Sequence, residues 1–518
     1  MKNTNELEEI VASQRARISE LEALVKYYEE RFRLAMIKQY APSSEKSPPP
    51  EQLGLFDEVE NTADLTQPEP ELEQITYTRR KKKGKRKDDL SKLPVEVINY
   101  TLTEEECVCT ECGGNLHEMG HDIARRELTI IPAQAVITEH RRAIYACRCC
   151  ERSGVSVPII KAPIPEPVIK GSLASPSAMA HIMTQKYLMH SPLNRQEKDW
   201  ERQGVNLSRQ TMANWVIRCA EDWLQPLYDR MKQQLLEHKV LHADETSVQV
   251  LNEPGKKATS DSFMWLYRTG RDTQKHIIIF EYQPGRAHIY PQKFLQGWSG
   301  YLHTDGYGVY HMLPPEIVVV GCWSHARRKF SDALKLLPAE GRRKSPEYQA
   351  IERLGFLFHL EEKWKQLHPE ERHRRRQKES KPLAEAFFSW LEGLRVLPKS
   401  ALGKAVSYAL EQKKWLMNVY LDGRTELSNN RIENSVRPFS LGRKNWMFCN
   451  SIKGADASSV VYSIIETAKA NGLKPFEYLK FLFETLPNST ISAMDSLLPW
   501  GESVPLSCRM PLAEAADD

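Results

Sequence analysis

The sequence predicts a multidomain α/β protein, in which a core of strands and helices follows a long helix, a cysteine-rich element and a helical segment. Its 518 residues are 41% apolar and 27% charged, which is typical of about three or four globular domains. Six of the ten cysteines fall in two tight groups. Strand-like runs begin near residue 239, where they alternate with turns and one short helix.

The bulk charge and hydropathy exclude some classes of protein. The net charge is only +4, so binding to a polyanion must depend on local basic clusters. No apolar run approaches the ~20 residues that cross a bilayer, and the N-terminus, MKNTNELEEI, lacks the apolar segment of a signal peptide. Grouped cysteines in a chain of this size are typical of a metal site in a reducing compartment. We therefore expect a cytoplasmic protein with no membrane partner.

Residues 1–40 are predicted to form a coiled-coil helix. Residues 5–39 contain no Gly or Pro, and steps of three and four residues trace one seam. The seam comprises Leu7, Val11, Gln14, Ile18, Leu21, Val25, Tyr28, Phe32 and Ala35. Its length favours self-association, and hence a homo-oligomer, over an amphipathic helix that docks on its own chain.

Residues 41–90 are predicted to be a disordered linker that is first acidic and then basic. Residues 51–78 contain no Lys or Arg, whereas eight of the nine residues in RRKKKGKRK (79–87) are basic. The basic run is either a solvated segment, a contact for phosphates, or a partner of the acidic stretch before it.

Residues 91–165 are predicted to bind one structural Zn²⁺. The predicted ligands are two C-x-x-C pairs separated by 34 residues, namely Cys109, Cys112, Cys147 and Cys150. Four thiolates in two such turns suit the tetrahedral geometry of Zn²⁺. Disulfides are the alternative, which a reducing compartment disfavours.

Residues 166–238 are predicted to form a helical domain that resembles a helix–turn–helix. The segment lacks strand patterns, and Ser208 can cap a helix whose apolar stripe includes Met212 and Val216. Helix–turn–helix units that read DNA have this outline, and Arg209 is a candidate DNA contact at the start of the second helix. Ordinary helix packing gives the same pattern, so both interpretations stay open.

The elements of residues 239–323 follow the chain order of a ribonuclease-H-like core. KVLHADETSVQVL, SFMWLYRTG and KHIIIFEYQ predict three consecutive strands, and PQKFLQGW predicts a short helix. Two further strands are predicted in GYLHTDGYGVY (300–310) and EIVVVGCW (316–323). In such a core the first and fourth strands are neighbours.

Two of these strands carry an aspartate, a residue that strands disfavour. Asp244 lies among valines in the first strand, and Asp305 lies in the fourth, followed by Gly306. Neighbouring strands would bring the two carboxylates together, where they repel each other unless a cation holds both. Oxygen ligands of this kind suit Mg²⁺ or Mn²⁺. For Asp244, the alternative is a strand-end residue that bonds to a nearby turn.

Glu433, in LSNNRIENSVRPFSLGRKNWMF, is the predicted third acid. Asn430 precedes it by three residues, so a capping-box glutamate is the alternative. The neighbourhood is basic and aromatic, which suits a phosphodiester backbone with bases available for stacking. The candidate DNA contacts here are Arg431, Arg437, Arg443, Lys444 and Trp446, with Arg327, Arg328 and Lys329 of SHARRKF as further candidates.

The chain between Asp305 and Glu433 is longer than a ribonuclease-H-like core needs. Residues 324–420 are therefore predicted to be a helical insertion, with HPEERHRRRQKESKP (368–382) as a basic, exposed loop. Residues 421–487 would complete the core with the third acid and the C-terminal helices. Residues 488–518 would form a tail.

Four motifs resemble those of the insertion-sequence 66 family of bacterial DDE transposases: LHADET, HTDGYGVY, CWSHARRKF and NNRIENSVRPFSLGRKNWMF. The likeness runs in the same order from about residue 100 to ETAKANGLKPFEYLKFLFETLP, and more loosely includes the N-terminal helix. It implies a catalytic triad of Asp244, Asp305 and Glu433, which would hold about two Mg²⁺ or Mn²⁺ ions. It also implies transposon ends and target DNA as partners, with small accessory proteins encoded by the same element.

The predicted function is metal-dependent 3′-end cleavage and strand transfer of transposon DNA, by a cytoplasmic protein that associates with the nucleoid when bound to DNA. The alternatives are a catalytically inactive zinc and helix–turn–helix DNA-binding protein on the same scaffold, and a structure-selective nuclease. Glu245 and Glu466 are the rival acids, and Glu245 points to the opposite face of the first strand from Asp244. The histidines near the predicted centre are expected to be structural: His242, His303 and His325.

Overall fold

A computed structural model describes residues 135–146, 159–338, 340–489 and 494–511, together with seven isolated helical positions between residues 14 and 28. The predicted linker, all four predicted zinc ligands and four of the nine coiled-coil seam residues lie outside the described residues. Those predictions therefore stay predictions. In the described part of the chain, no helix is both long enough and apolar enough to cross a bilayer.

A short hairpin and a helical segment precede the main sheet. Strands β1 (Ile144–Ala146) and β2 (Ile159–Lys161) pair antiparallel. Four helices follow, α1 (Pro176–Tyr187), α2 (Leu193–Arg202), α3 (Arg209–Cys219) and α4 (Gln225–Leu235), and a π-helical turn at Ala220–Leu224 joins the last two. Ser208 caps α3 as predicted, since its Oγ accepts the N–H of Thr211 at 3.1 Å. Met212 and Val216 of the predicted apolar stripe are buried.

The main sheet has six strands: β3 (Val240–Asn252), β4 (Asp261–Thr269), β5 (Ile278–Gln283), β6 (Gly300–Thr304), β7 (Ile317–Gly321) and β8 (Cys449–Ser451). Their order is β5-β4-β3-β6-β7, and β8 pairs with the far end of β3. Strands β3, β4 and β5 form an antiparallel meander, whereas β3, β6 and β7 run parallel. Helix α5 (Ile289–Phe294) joins β5 to β6. The predicted first and fourth strands, β3 and β6, are therefore neighbours.

The fourth strand is shorter than the sequence predicted. It ends at Thr304 rather than near residue 310, so the placement of Asp305 within a strand is wrong. The Asp305 carboxylate accepts the N–H of Tyr307 at 3.0 Å. This side-chain turn competes with the strand ladder and ends it.

The predicted insertion is helical and has its own hydrophobic core. It contains α6 (Trp323–Lys335), α7 (Pro346–Lys363), α8 (Pro369–Arg375), α9 (Lys381–Glu392), α10 (Ala401–Glu411) and α11 (Lys413–Met417). Trp323, Phe330 and Phe388 are fully buried in this core. The insertion is thus a separate packed layer beside β7 rather than an extended loop.

The exposed basic loop predicted at 368–382 is wrong, because this stretch is helical and two of its arginines are buried. Arg372 is 1% exposed and pairs with Asp272 at 2.9 Å, while Arg376 is fully buried. The Arg376 guanidinium forms two 2.7 Å hydrogen bonds with Glu361 and donates to the backbone oxygen of Thr425 at 2.9 Å. The buried charge of Arg376 is tolerated because the N–H groups of its guanidinium have hydrogen-bond acceptors.

Three C-terminal elements complete the sheet region: α12 (Asn430–Trp446), α13 (Ile452–Ala470) and α14 (Pro475–Thr485). Helix α13 covers the edge strand β5, whose Ile278 and Phe280 N–H groups donate to Thr467 and Ser463 hydroxyls. The described part of the predicted tail includes α15 (Met494–Leu497) and packs on α14, since the Tyr478 hydroxyl donates to the Leu497 oxygen at 2.7 Å.

Candidate active site

Asp244 lies in the central strand β3, where it is partly buried beside other acids. One of its oxygens accepts the N–H of Glu245 at 2.8 Å. Burial raises the pKa of Asp244 well above its usual value, and the negative charges of its three acidic neighbours, Glu245, Asp305 and Glu433, raise it further. The structure therefore brings the three predicted acids into one region, close enough for their charges to interact.

Asp305 is held at the end of β6 by a turn on which the helical insertion packs directly. The Tyr408 hydroxyl of α10 lies only 2.5 Å from the place where a side chain on Gly306 would begin. A residue larger than glycine at this position would displace the Tyr408 side chain from the turn. The insertion thus helps to fix the second acid, which the sequence could not show.

Glu433 reaches the same region from the first turn of α12. Its Oε2 lies 3.4 Å from the Arg328 guanidinium, and its Oε1 lies 3.8 Å from His325 Nε2. Oε1 is buried and has no hydrogen-bond partner among the residues that the structure describes. The capping-box alternative is wrong: the N-cap residue is Asn429, and no side chain caps the helix.

Two stacked histidines connect the strands to the loop that precedes α12. His242 of β3 and His303 of β6 are fully buried, with ring centroids 4.4 Å apart and planes 15° apart. His242 Nδ1 is 2.8 Å from Asn429 Oδ1, and Nε2 is 3.1 Å from Glu426 Oε1. The Asn429 amide is oriented by its donation to the Ala243 oxygen at 3.0 Å. Both ring nitrogens of His242 therefore face oxygen acceptors.

The charges of this network are set by its buried partners. Burial alone would raise the pKa of Glu426, but hydrogen bonds from His242 and Arg431 hold it well below the usual value. Burial lowers the pKa of His303 well below its usual value, and the neighbouring His242 lowers it further. A neutral His303 can accept, and its Nε2 does accept the N–H of Glu426 at 3.0 Å. The network fixes the loop before α12, and thereby Glu433, to the strands that carry the two aspartates.

We expect His242→Ala to lower the free energy of unfolding by about 2–3 kcal/mol, because it leaves Asn429 and Glu426 buried without their partner. Chemical denaturation followed by tryptophan fluorescence measures this change. His359→Ala, at an exposed position of α7, is the control and should change stability by less than about 0.5 kcal/mol. Equal stability of the two variants would contradict the network.

The rival acids have partners within the protein. Glu245 has a side chain only 1% exposed, which forms an ion pair with Arg286 and accepts the Tyr310 hydroxyl at 2.5 Å. Burial raises the pKa of Glu245, although both partners oppose that shift. Glu466 pairs with Lys469 at 2.8 Å on α13. Glu433 differs from both, since one of its oxygens is buried and unpartnered.

The nine candidate DNA contacts divide into two groups. Six are exposed, namely Arg209, Arg327, Arg328, Lys329, Arg437 and Lys444. The other three are partly buried and packed within the protein. Arg431 pairs with Glu426 at 3.0 Å, Arg443 donates to the Ser247 hydroxyl at 3.0 Å, and Trp446 packs edge-on against Phe439.

The three acids fit a divalent cation. They present carboxylate oxygens in a partly buried region, where Asp244 resists ionisation and Glu433 Oε1 lacks a partner. A cation would relieve the repulsion and supply the missing partner, and carboxylates are the ligands that Mg²⁺ and Mn²⁺ prefer. Asp244, Asp305 and Glu433 are therefore the residues that could hold it.

Asp244→Asn should stabilise the protein by roughly 1–3 kcal/mol at pH 7 in magnesium-free buffer. Because the folded-state pKa is raised, the carboxyl group favours folding below its unfolded pKa, and that contribution is lost as the pH rises through the folded value. Asparagine does not ionise, so the variant does not lose stability as the pH rises. Denaturation at several pH values should show the gain at pH 7 and its decline towards pH 4. A variant no more stable than wild type at pH 7 would show that the acids do not repel.

Comparison with known proteins identifies the family. Residues 171–457, more than half of the chain, match the model of the Transposase IS66 family. This chain belongs to the IS66 transposase family. The predicted resemblance is thus confirmed, and three further family models match in the expected order. They are the zinc-finger binding domain of transposase IS66 at 106–151, the IS66 C-terminal element at 463–500, and Transposase C of IS166 homeodomain at 27–98.

Relatives of this IS66 protein occur in Sinorhizobium fredii (strain NBRC 101917 / NGR234). The uncharacterized protein y4jD is 30% identical over 429 residues, which cover 79% of this chain and 81% of the relative. The uncharacterized protein y4hP is 30% identical over 419 residues, which cover 77% of this chain and 74% of the relative. The similarity therefore extends over most of this chain and most of each relative.

Proposed function

We propose that this IS66-family protein is a DDE transposase that cleaves the 3′ ends of its insertion sequence and joins them to target DNA. The observation that carries the proposal is that three carboxylates, from β3, from the turn after β6 and from α12, lie in one region, where the charges of Asp305 and Glu433 act on Asp244. The antiparallel meander beside parallel strands, in the order β5-β4-β3-β6-β7, supports a ribonuclease-H-like core. The family match supports DNA as the substrate.

In this mechanism Asp244, Asp305 and Glu433 would together hold about two Mg²⁺ or Mn²⁺ ions, with Asp244 serving both. The ions would supply activation of the attacking oxygen and stabilisation of the leaving oxygen. The chain itself positions these groups: β3 is a rigid mount for Asp244, and the N–H of Tyr307 orients Asp305. No covalent intermediate with the protein is required.

Arg328 connects the acids to the DNA backbone. It contacts Glu433, yet half of its side chain is exposed, so it can donate to a phosphate oxygen when DNA arrives. The neighbouring Arg327 and Lys329 on α6, and Arg437 on α12, are exposed as well. Together they support contacts that position the backbone without reading sequence.

We propose roles in DNA binding and assembly for the remaining domains. The helix–turn–helix of α2 and α3 is proposed to bind the transposon ends through residues such as Arg209. The insertion at 324–420 is proposed to border the DNA, because it packs on the turn of Asp305. The helix of residues 1–40 is proposed to pair two copies, since two ends must be held together during transfer, and accessory proteins of the same element are proposed as partners.

Incubation of the purified protein with DNA that carries the terminal inverted repeats of its element tests the proposal. We expect 3′-hydroxyl ends and joined products with Mg²⁺ or Mn²⁺, and binding without cleavage with Ca²⁺, which prefers a looser and higher coordination. Binding without cleavage in both Mg²⁺ and Mn²⁺ would indicate an inactive DNA-binding protein. Cleavage without joining would indicate a nuclease.

The zinc element carries a separate prediction. Cys109, Cys112, Cys147 and Cys150 are proposed to bind one Zn²⁺ at about 2.3 Å per sulfur, and all four lie within the matched zinc-finger model. Metal analysis should find about one zinc per chain, and Cys112→Ser should lose it. If Cys112→Ser retains full zinc, one of the spare thiols, Cys107 or Cys149, is a ligand instead.

A further inference from the structure

We infer that His325 supplies a nitrogen ligand to the divalent ion on Glu433, so that this half of the site prefers Mn²⁺ to Mg²⁺. The inference rests on the proposed function, because it requires that Glu433 binds an ion. It adds a fourth ligand residue to the three acids, and it adds a preference between two ions that the acids alone would accept similarly.

The distance between the two side chains fits two ligands of one ion. His325 Nε2 and Glu433 Oε1 are 3.8 Å apart, which is too long for a hydrogen bond. Two ligand atoms bound to the same ion at about 2.1 Å stand roughly 3.0–3.5 Å apart, depending on the coordination geometry. A movement of less than about 1 Å would therefore bring both atoms onto one ion.

Glu433 Oε1 has no hydrogen-bond partner that would compete with an ion. It is buried without a hydrogen bond among the described residues, and Arg328 contacts the other oxygen, Oε2. Buried polar atoms rarely remain unpaired, and an ion bound between this oxygen and His325 Nε2 would supply the missing partner.

The two helices that carry these side chains are fixed to each other where they begin. Cys322 precedes α6, and its sulfur accepts the N–H of Asn429, which precedes α12, at 3.1 Å. The sulfur lies within 4.8 Å of the His325 and Glu433 ligand atoms but is only 2% exposed. Because Cys322 already accepts this hydrogen bond, we assign it a positioning role and leave the ligand role to His325.

A nitrogen ligand changes which ion the site selects. Both ions prefer carboxylates, but Mg²⁺ takes oxygen ligands almost exclusively, whereas Mn²⁺, as a first-row transition-metal ion, accepts an imidazole nitrogen beside them more readily. A second histidine, His311, also lies near Asp305, but its ring is stacked on Trp415 with centroids 3.4 Å apart and planes 5° apart. That stacking holds the His311 ring in place, so His325 is the better placed nitrogen donor.

The test uses the full-length, zinc-loaded protein and Mn²⁺ as the probe. Electron paramagnetic resonance gives the affinity for Mn²⁺, and pulsed measurements detect a directly bound ¹⁴N nucleus. Wild type should show the nitrogen signal. His325→Asn and His325→Gln should lose it and bind Mn²⁺ at least about tenfold more weakly. The affinity for Mg²⁺, measured by competition, should change less than about threefold.

The controls are His311→Asn near the site and His359→Asn on the exposed face of α7, which should both keep the nitrogen signal. If wild type lacks the signal, or if it persists in His325→Asn and disappears in His311→Asn, the inference is overturned. Asp244→Asn separates this outcome from failure of the proposed function. Should Mn²⁺ binding not depend on Asp244, the triad itself is wrong; should it depend on Asp244 without a nitrogen signal, only the role of His325 is wrong.

Discussion

Asp244→Asn, Asp305→Asn and Glu433→Gln are each expected to slow strand cleavage at transposon ends by at least about 10³-fold, while DNA affinity stays within about threefold. Each change keeps the shape of the side chain and removes a negative charge that holds the ion. Single-turnover cleavage rates measure the first effect. Binding to the same DNA in Ca²⁺ measures the second, since Ca²⁺ should support binding alone.

Glu466→Gln is the matched control for these substitutions. Glu466 is a buried acid of α13 whose partner is Lys469. The substitution Glu466→Gln should therefore leave the cleavage rate within about threefold of wild type. A protein in which Asp244→Asn and Glu433→Gln both cut and join DNA at the wild-type rate would not use this triad. The aspartate of β3 would then be an ordinary buried acid.

Arg376→Met is expected to lower the free energy of unfolding by about 3–5 kcal/mol, because it leaves Glu361 as an unpaired charge in the interior. Arg376 also donates to the backbone oxygens of Val419 and Asp422. The segment that it anchors leads directly to Glu426 and Asn429. We therefore expect the Arg376→Met variant to lose cleavage activity at a lower temperature than wild type, in parallel with its loss of stability. Denaturation measures the stability, and cleavage assays at several temperatures measure the activity.

Arg375→Met provides the comparison, since Arg375 neighbours Arg376 in the chain but is exposed. It pairs with Glu371 and Glu379 on the surface, where such pairs contribute little. We expect a change of less than about 0.5 kcal/mol. Similar losses in the two variants would mean that the buried ion pair contributes no more than a solvated one.

The sequence could predict that Asp244 and Asp305 lie on neighbouring elements because their signals are local. Asp244 interrupts an apolar strand, and the order of strands and helix then indicates which strand lies beside it. The end of β6 was mispredicted, because the bond from the Tyr307 N–H to Asp305 overrides a strand-like composition. The basic and aromatic neighbourhood of Glu433, and then the family resemblance, linked it to the two aspartates across the insertion.

Contacts between distant segments could not be predicted in this way. Arg372 and Arg376 lie in a run of charge that is typical of a solvated surface, and only the fold shows that carboxylates and carbonyls surround them. The same limit applies to Glu426, which no motif distinguished before its bonds to His242 and Arg431 were visible. Charge patterns indicate that a partner is needed, but not which segment provides it.

The position of α12 late in the chain also sets when the active centre can exist. On the proposed assignment, Asp244 and Asp305 are synthesised first, and Glu433 leaves the ribosome only after the whole insertion. At about 5–20 residues per second, the delay between Asp305 and Glu433 is roughly 6–26 s. A nascent chain would therefore hold helices α1–α4 long before it held all three acids. A chain that stops within the insertion would keep that helical segment and lack the third acid, so premature termination would yield a product unable to nick the genome that encodes it.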